Sequence, residues 1–294
     1  MSVLLAPELL LAALVLASIY ALVALGLNLI YGAMRLLNVA HGEIMMLGGY
    51  VAFWAFTLWG IGPLWSMFGA MVLAAALGAL CYLVLFKRLV RNRALASRLE
   101  ANSLLIFFGL SIIIQNVAAL AFSADVRSYS YFNELVQIGH VQIAANRLVI
   151  LAVSAVVTGL VMLFFRFHIV GLGIRALIQQ PDAASLVGIA ADRINLVVFC
   201  LGFALAGLAG TLVSMTESIT PFSGFPYTIA AFVVVILGGL GSLTGGLLGA
   251  LVLAFVEVYG STLTSPAYRS ILVYGLFIAI LFVRPQGLLG RKPT

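Results

Sequence analysis

Lysine is nearly missing from this 294-residue sequence: only Lys87 and Lys292 occur, and they follow Phe86 and Arg291. A Walker A phosphate loop ends in Gly-Lys-Ser/Thr, so the chain does not hydrolyse ATP alone by that route. Charge of either sign is scarce. Asp, Glu, Lys and Arg together make 8% of the residues, against about 25% in a soluble domain. Too few polar side chains remain to cover a surface in water. The three histidines, His41, His140 and His168, are too scattered for a H-E-x-x-H zinc pair. No G-x-S-x-G nucleophile elbow occurs either. These absences argue against an enzyme: we expect no catalytic residue, no metal and no cofactor. The two cysteines, Cys81 and Cys200, lie inside apolar runs and read as small buried hydrophobes, not as a disulfide. No basic residue precedes the first apolar stretch, so that stretch is expected to be a retained span and not a cleaved signal.

What is present is apolar. The residues AVILMFWYC make 64% of the chain, and the mean hydropathy is +1.22. About 20 such residues in a helix cross a bilayer. Apolar runs fall at roughly 9–30, 44–60, 64–86, 103–122, 148–166, 194–216, 228–240, 243–263 and 270–283. No Pro- or Ser-rich linker separates them. The expectation is a single all-α polytopic membrane domain over 1–294, with about eight or nine transmembrane helices and re-entrant or discontinuous segments at 31–43 and 238–246.

The formal charge of +6 is concentrated in short loops, which favours membrane orientation over nucleic acid as its meaning. Twelve of the fifteen bases fall on one side: Arg35, the loop 87–98, the loop 166–193 and the C-terminal tail. Only Arg127, Arg147 and Arg269 fall on the other. The positive-inside rule then sets the C-terminus in the cytoplasm and the N-terminus in the periplasm. The long loop at about 123–147 is periplasmic on this reading, and its segment YFNELVQIGHVQIAA alternates around Gly139-His140 like a hairpin.

Four segments carry polar or glycine signals. The loop at about 167–193 parses as two short helices, the first over 173–180. Pro181 stops that helix and opens the next, Asp182 suits a positive helix end, and Gly188 ends the turn. Small residues on this corner let another protein's backbone approach, and Leu186, Val187 and Ile189 read as an exposed apolar group, which marks an interface. In 25–50, Asn28, Asn38, His41 and Glu43 lie among Gly26, Gly32, Gly42, Gly48 and Gly49. Ionisable groups at membrane depth face a cavity or a partner. A broken helix lining a polar path and a short loop at the membrane edge both fit this segment. In 238–250, small residues recur at Gly-x-x-x-Gly spacing, as in close helix packing or in a repeat of the first glycine-broken segment. Gln115 and Asn116, with Glu217 and Glu257, complete the polar marks. Interhelical pairing is the simpler account of these four.

Taken together, GLNLIYGAMRLLNVAHGEIMMLGGYVA, LLIFFGLSIIIQNVAALAF, GIRALIQQPDAASLVGI, VVVILGGLGSLTGGLLGA and VRPQGLLGR resemble, in order, the permease subunits of branched-chain amino acid ABC importers of the LivH type. The resemblance spans nearly the whole chain. It implies a type II-like importer permease in the inner membrane, forming half of the translocation path. A second homologous permease, two ATP-binding cassette ATPases and a periplasmic substrate-binding protein would be its partners, with membrane lipid around it and no nucleic acid. Asp182-Ala183-Ala184 and Gly188 match the first half of the coupling-loop pattern Glu-Ala-Ala-x-x-x-Gly. The later Ile-x-Leu-Pro part is absent. By this resemblance Arg175, Pro181, Asp182, Ala183, Ala184, Ser185, Leu186 and Gly188 are the expected coupling residues. Asn28, Asn38, His41, Glu43, Gln115 and Asn116 are candidates for the path. Relatives of this kind move branched-chain or other neutral amino acids, urea and short amides, or aromatic acids. A stand-alone secondary transporter is the alternative of a different class.

Overall fold

A computed structural model describes residues 6–91, 98–139, 141–284 and 286–289. The bases Arg93, Arg291 and Lys292, and His140 at the hairpin tip, lie outside the described residues.

Every apolar run folds as helix. In chain order these are α1 (Pro7–Met34), α2 (His41–Trp59), α3 (Pro63–Cys81, continuing through a π turn at Tyr82–Phe86 to Arg91) and α4 (Leu99–Phe122). A hairpin of β1 (Leu135–Ile138) and β2 (Val141–Ala144) follows. Then come α5 (Ala145–Phe167), α6 (Ile169–Gln179), α7 (Pro181–Leu186), α8 (Ala191–Val213), α9 (Gly224–Gly238), α10 (Leu243–Leu263) and α11 (Arg269–Val283). Among the described residues, proline is confined to the first turns of helices and to loops. Pro7, Pro63 and Pro181 open α1, α3 and α7, where a missing N–H costs nothing.

Among the described residues, seven helices are long and apolar enough to cross a bilayer: α1, α3, α4, α5, α8, α10 and α11 with its preceding turn. Two runs counted as spans in the sequence depart from this. α2 opens on the ionisable side chains of His41 and Glu43. α9 has 15 residues, about 22 Å at 1.5 Å each, which is short of a 30 Å core. These seven, with the shorter α2 and α9 each carrying the chain back toward the opposite face, put the start of α1 on the face with the hairpin, whose β2 packs on α1. They put the end of α11 on the face with α6 and α7. We call these the hairpin face and the corner face.

α1 and α8 form the buried centre. α8 packs on α1, α2 and α3, and α1 packs on α10, α5 and α9. Side chains on α4, α5 and α11 are mostly exposed. Small residues set the closeness at the centre. Gly48 of α2 meets the backbone of Gly207, and Gly210 of α8 meets the Met45 carbonyl, with no room for a Cβ at either contact.

The hairpin forms as its alternation predicts, with Val136 opposite Ile143 and Gly139 at φ 63° in the turn. The loop before it is pinned to the loop after α8. Arg127 and Ile219 exchange backbone hydrogen bonds of 2.9 and 2.7 Å. Tyr129 Oη lies 2.8 Å from Ser214 Oγ. Asn146 donates to Asn133 Oδ1 at 2.7 Å and to the Met215 carbonyl at 3.1 Å. At the opposite face, Leu288 and Leu289 donate their N–H groups to the Leu237 and Gly238 carbonyls, at 2.8 and 3.1 Å.

Candidate functional site: two helix breaks and an outward cavity

Irregular backbone at membrane depth must be covered by protein or line a cavity. The first such segment follows α1. Arg35 takes left-handed angles (φ 53°) and bonds back to the Tyr31 carbonyl at 2.7 Å. The chain then turns back along α1, and Leu37 N–H donates to Ser103 Oγ at 3.1 Å. α2 begins at His41, whose Nε2 donates to the Val23 carbonyl at 3.0 Å and whose ring abuts Gly26. Those contacts lie about 12–16 Å along α1 from Met34 at 1.5 Å per residue. Of the two readings left open by the sequence, the re-entrant, broken helix is the one observed.

One side chain satisfies the freed backbone here. Thr228 of α9 donates its hydroxyl to the Val39 carbonyl at 3.1 Å and accepts from the Gly42 N–H at 2.9 Å. Gly42 and Gly224 touch through their backbones, and a Cβ on either would overlap the other's carbonyl. The start of α2 therefore meets the start of α9. Glu43, fully buried, accepts through Oε1 from Gln115 Nε2 at 2.7 Å and from Ser111 Oγ at 3.2 Å. Its Oε2, both polar atoms of Asn38 and His41 Nδ1 are buried without a hydrogen-bond partner among the described residues.

The second break, Gly239–Ser242, is a tight turn at the corner face between α9 and α10 and not a re-entrant loop. Asn28 pins it: Oδ1 accepts from the Gly241 N–H at 3.1 Å, and Nδ2 donates to the Ser242 carbonyl at 3.2 Å. The six path candidates thus separate. Asn38, His41, Glu43 and Gln115 gather at the first break. Asn28 serves the second. Asn116 joins neither; it is exposed and donates to the Ile112 carbonyl of its own helix at 2.8 Å.

Because α9 starts below the hairpin face, space remains above it. A cavity of about 370 Å³ fills this space, with Met45, Met46 and Gly224 at the junction of α2 and α9 among its lining. Its polar lining includes Tyr20, Glu217, Tyr227, Glu257 and Arg269. Glu257, 3% exposed, accepts from the Tyr20 hydroxyl at 2.7 Å and pairs with Arg269 Nε. Tyr227 donates to Glu217 Oε2 at 2.5 Å. Sequence reasoning took Glu217 and Glu257 for interhelical contacts and passed over Tyr20, Tyr227 and Arg269. Tyr20 and Glu257 are 237 positions apart, so no local pattern joins them.

At the corner face, α6 starts at Ile169, four residues earlier than the expected 173, because His168 Nδ1 caps the Val170 N–H at 3.2 Å. Gly171, Ile174 and Leu177 face inward, and Ile178 reaches Gly32 near the end of α1. Pro181 opens α7, and Gly188 ends it with φ 86° and open space around it. Leu186 and Val187 are 88% and 77% exposed, as the exposed apolar group read from the sequence requires. Ile189 is half-buried and Ala184 is buried, so the small-residue surface is narrower than the sequence indicates. Ala183 and Ser185 are exposed, as is Arg175, which donates to the Arg166 carbonyl at 3.2 Å. The side chains of Pro181 and Asp182 lie outside the described atoms.

Comparison with known proteins agrees with this architecture. The family described as branched-chain amino acid transport system / permease component matches residues 9–281. The high-affinity branched-chain amino acid transport system permease protein LivH of Escherichia coli K12 is 35% identical over 291 residues, covering 94% of this chain and 92% of LivH. The corresponding protein BraD of Pseudomonas aeruginosa is 32% identical, with 93% and 92% covered. LivM of Escherichia coli K12 is 27% identical, with 92% and 68% covered. PsaBC from Streptococcus pneumoniae, solved in complex with Fab, shares the fold at a TM-score of 0.51 and 14% identity, over 95% of this chain and 93% of that one. The chain belongs to the branched-chain amino acid transport permease family.

Proposed function

We propose that this chain is the permease subunit of an ABC importer, forming half of a translocation path for branched-chain or related amino acids. ATP hydrolysis takes place in partner subunits. The family match over residues 9–281 carries this reading. Similarity to both LivH and LivM of one organism supports a second, related permease beside it. Two ATPase subunits and a periplasmic binding protein complete the assembly. The corner face, with Arg35, Lys87, Arg88, Arg166, Arg175, Arg193 and Arg284 on its side, is cytoplasmic by the positive-inside rule. The hairpin face is periplasmic and receives substrate.

Coupling runs through α6 and α7. Exposed Leu186 and Val187 dock in an ATPase groove, and α6 passes movement to the end of α1 through Ile178 and Gly32. The path runs past the first break, where Asn38, His41 and Glu43 offer unpaired polar atoms beside Gln115. The test is uptake of labelled leucine by membranes carrying the whole assembly. Leu186→Glu and Gly188→Glu should each lower uptake at least tenfold and release the ATPases on purification, with membrane insertion intact. Wild-type uptake rates in both variants would overturn the coupling role. Wild-type uptake driven by an ion gradient with the ATPases removed would overturn the importer reading in favour of a stand-alone transporter.

A further inference from the structure

We infer that the cavity above α9 is a substrate subsite that holds the zwitterionic head of an amino acid, with Glu217 facing the ammonium group and Arg269 the carboxylate. The inference rests on the importer reading and adds a place and a chemistry to it.

The charge distribution points there. The sequence has nine acidic residues and fifteen bases, yet two acids and one arginine line this one cavity. Their engagement differs. Glu257 is spent, since both oxygens are bonded, to Tyr20 and to Arg269. Glu217 is exposed at the rim, and among the described residues only its Oε2 is bonded, to the Tyr227 hydroxyl. Half of the Arg269 side chain remains exposed. An arginine backed by a buried carboxylate is held in place while part of its guanidinium side chain stays accessible, an arrangement suited to a ligand carboxylate.

The rest of the lining suits a small aliphatic group. Met45 and Met46 are buried where α2 meets α9, and thioethers adapt to differently branched chains. Val273, Ile229 and Pro226 extend the apolar wall. The volume, about 370 Å³, lies at the low end for small-molecule pockets. Gly224, which touches Gly42 through the backbone, is part of the lining, so a ligand held there lies beside the junction of the two half-helices.

Ser218 is exposed and lines the same cavity, which gives a readout independent of the binding protein. In membranes carrying the full assembly, Ser218→Cys is alkylated by an impermeant maleimide with and without leucine. Saturating leucine should slow alkylation at least fivefold, and 4-methylpentanoate, which lacks the ammonium, should not. In Ser218→Cys/Glu217→Gln, protection by leucine should disappear. In Ser218→Cys/Arg269→Lys, tenfold more leucine should be needed. Leucine uptake without protection, or protection that survives Glu217→Gln, would overturn the subsite and leave the importer reading standing. Absence of ATP-dependent uptake of any amino acid by the wild-type assembly would overturn both.

Discussion

Asn28 and Thr228 each hold the other's helix break. Asn28 lies on α1, which runs into the first break, and it pins the second. Thr228 lies on α9, which runs into the second break, and it bridges Val39 and Gly42 at the first. The two glycine-broken segments are thus tied reciprocally, a relation that fits the internal repeat suggested by their sequences.

Removing the Thr228 hydroxyl should orphan a buried N–H and a buried carbonyl. Thr228→Val keeps the shape, so its expected cost is about 1–3 kcal/mol for each group left unpaired. Thermal unfolding in detergent should show a lowered midpoint, with most of it restored in Thr228→Ser. Equal midpoints for wild type and Thr228→Val would refute the bridging role.

Gly42→Ala and Gly224→Ala should fail to accumulate as folded protein, because either Cβ overlaps a carbonyl of the facing backbone. Gly69→Ala is the control: it lies in α3 with open space around it, and alanine there should be neutral or stabilising by about 0.5–1 kcal/mol. Size-exclusion profiles of the solubilised variants report the difference.

Arg269→Ala should destabilise the protein by leaving the buried Glu257 carboxylate without its cation. The double variant Glu257→Gln/Arg269→Ala should be more stable than Arg269→Ala alone, since the amide no longer carries an uncompensated charge. Additive losses in a double-mutant cycle would show that the two groups are not coupled.

Tyr129 sits outside the membrane helices, and burial pushes its phenol up to about 12, the hydrogen bond to Ser214 acting in the opposite sense. A folded-state value above the unfolded one, about 10, stabilises fully below pH 10. That stabilisation is lost as pH rises through 12. The midpoint of unfolding should therefore fall between pH 10 and 12, and the fall should be shallower in Tyr129→Phe.

The membrane helices were legible because each is a long apolar run, and the hairpin because its alternation brackets Gly139. Asn38, His41 and Glu43 marked the first segment as unusual, since ionisable groups at membrane depth are costly, but a re-entrant helix and an edge loop stayed equally open until the contacts of His41 along α1 decided between them. Thr228 gave no signal, since a lone threonine in an apolar run is ordinary until its partners are known. Glu257 was expected to pair between helices, and does, but its partners Tyr20 and Arg269 stayed hidden for the related reason that they meet it only in the fold. At the corner, spacing marked Pro181 and Gly188 correctly but did not reveal that Ala184 turns inward.

The backbone contacts of Leu288 and Leu289 with the end of α9 have a practical side. A chain cut after Val283 would strip partners from the Leu237 and Gly238 carbonyls at the end of the helix whose other end meets α2 and the cavity. Damage at the corner face would thereby register toward the hairpin face. An affinity tag belongs beyond Leu289 behind a flexible spacer, and low uptake by a tail-shortened protein would report lost docking of the tail.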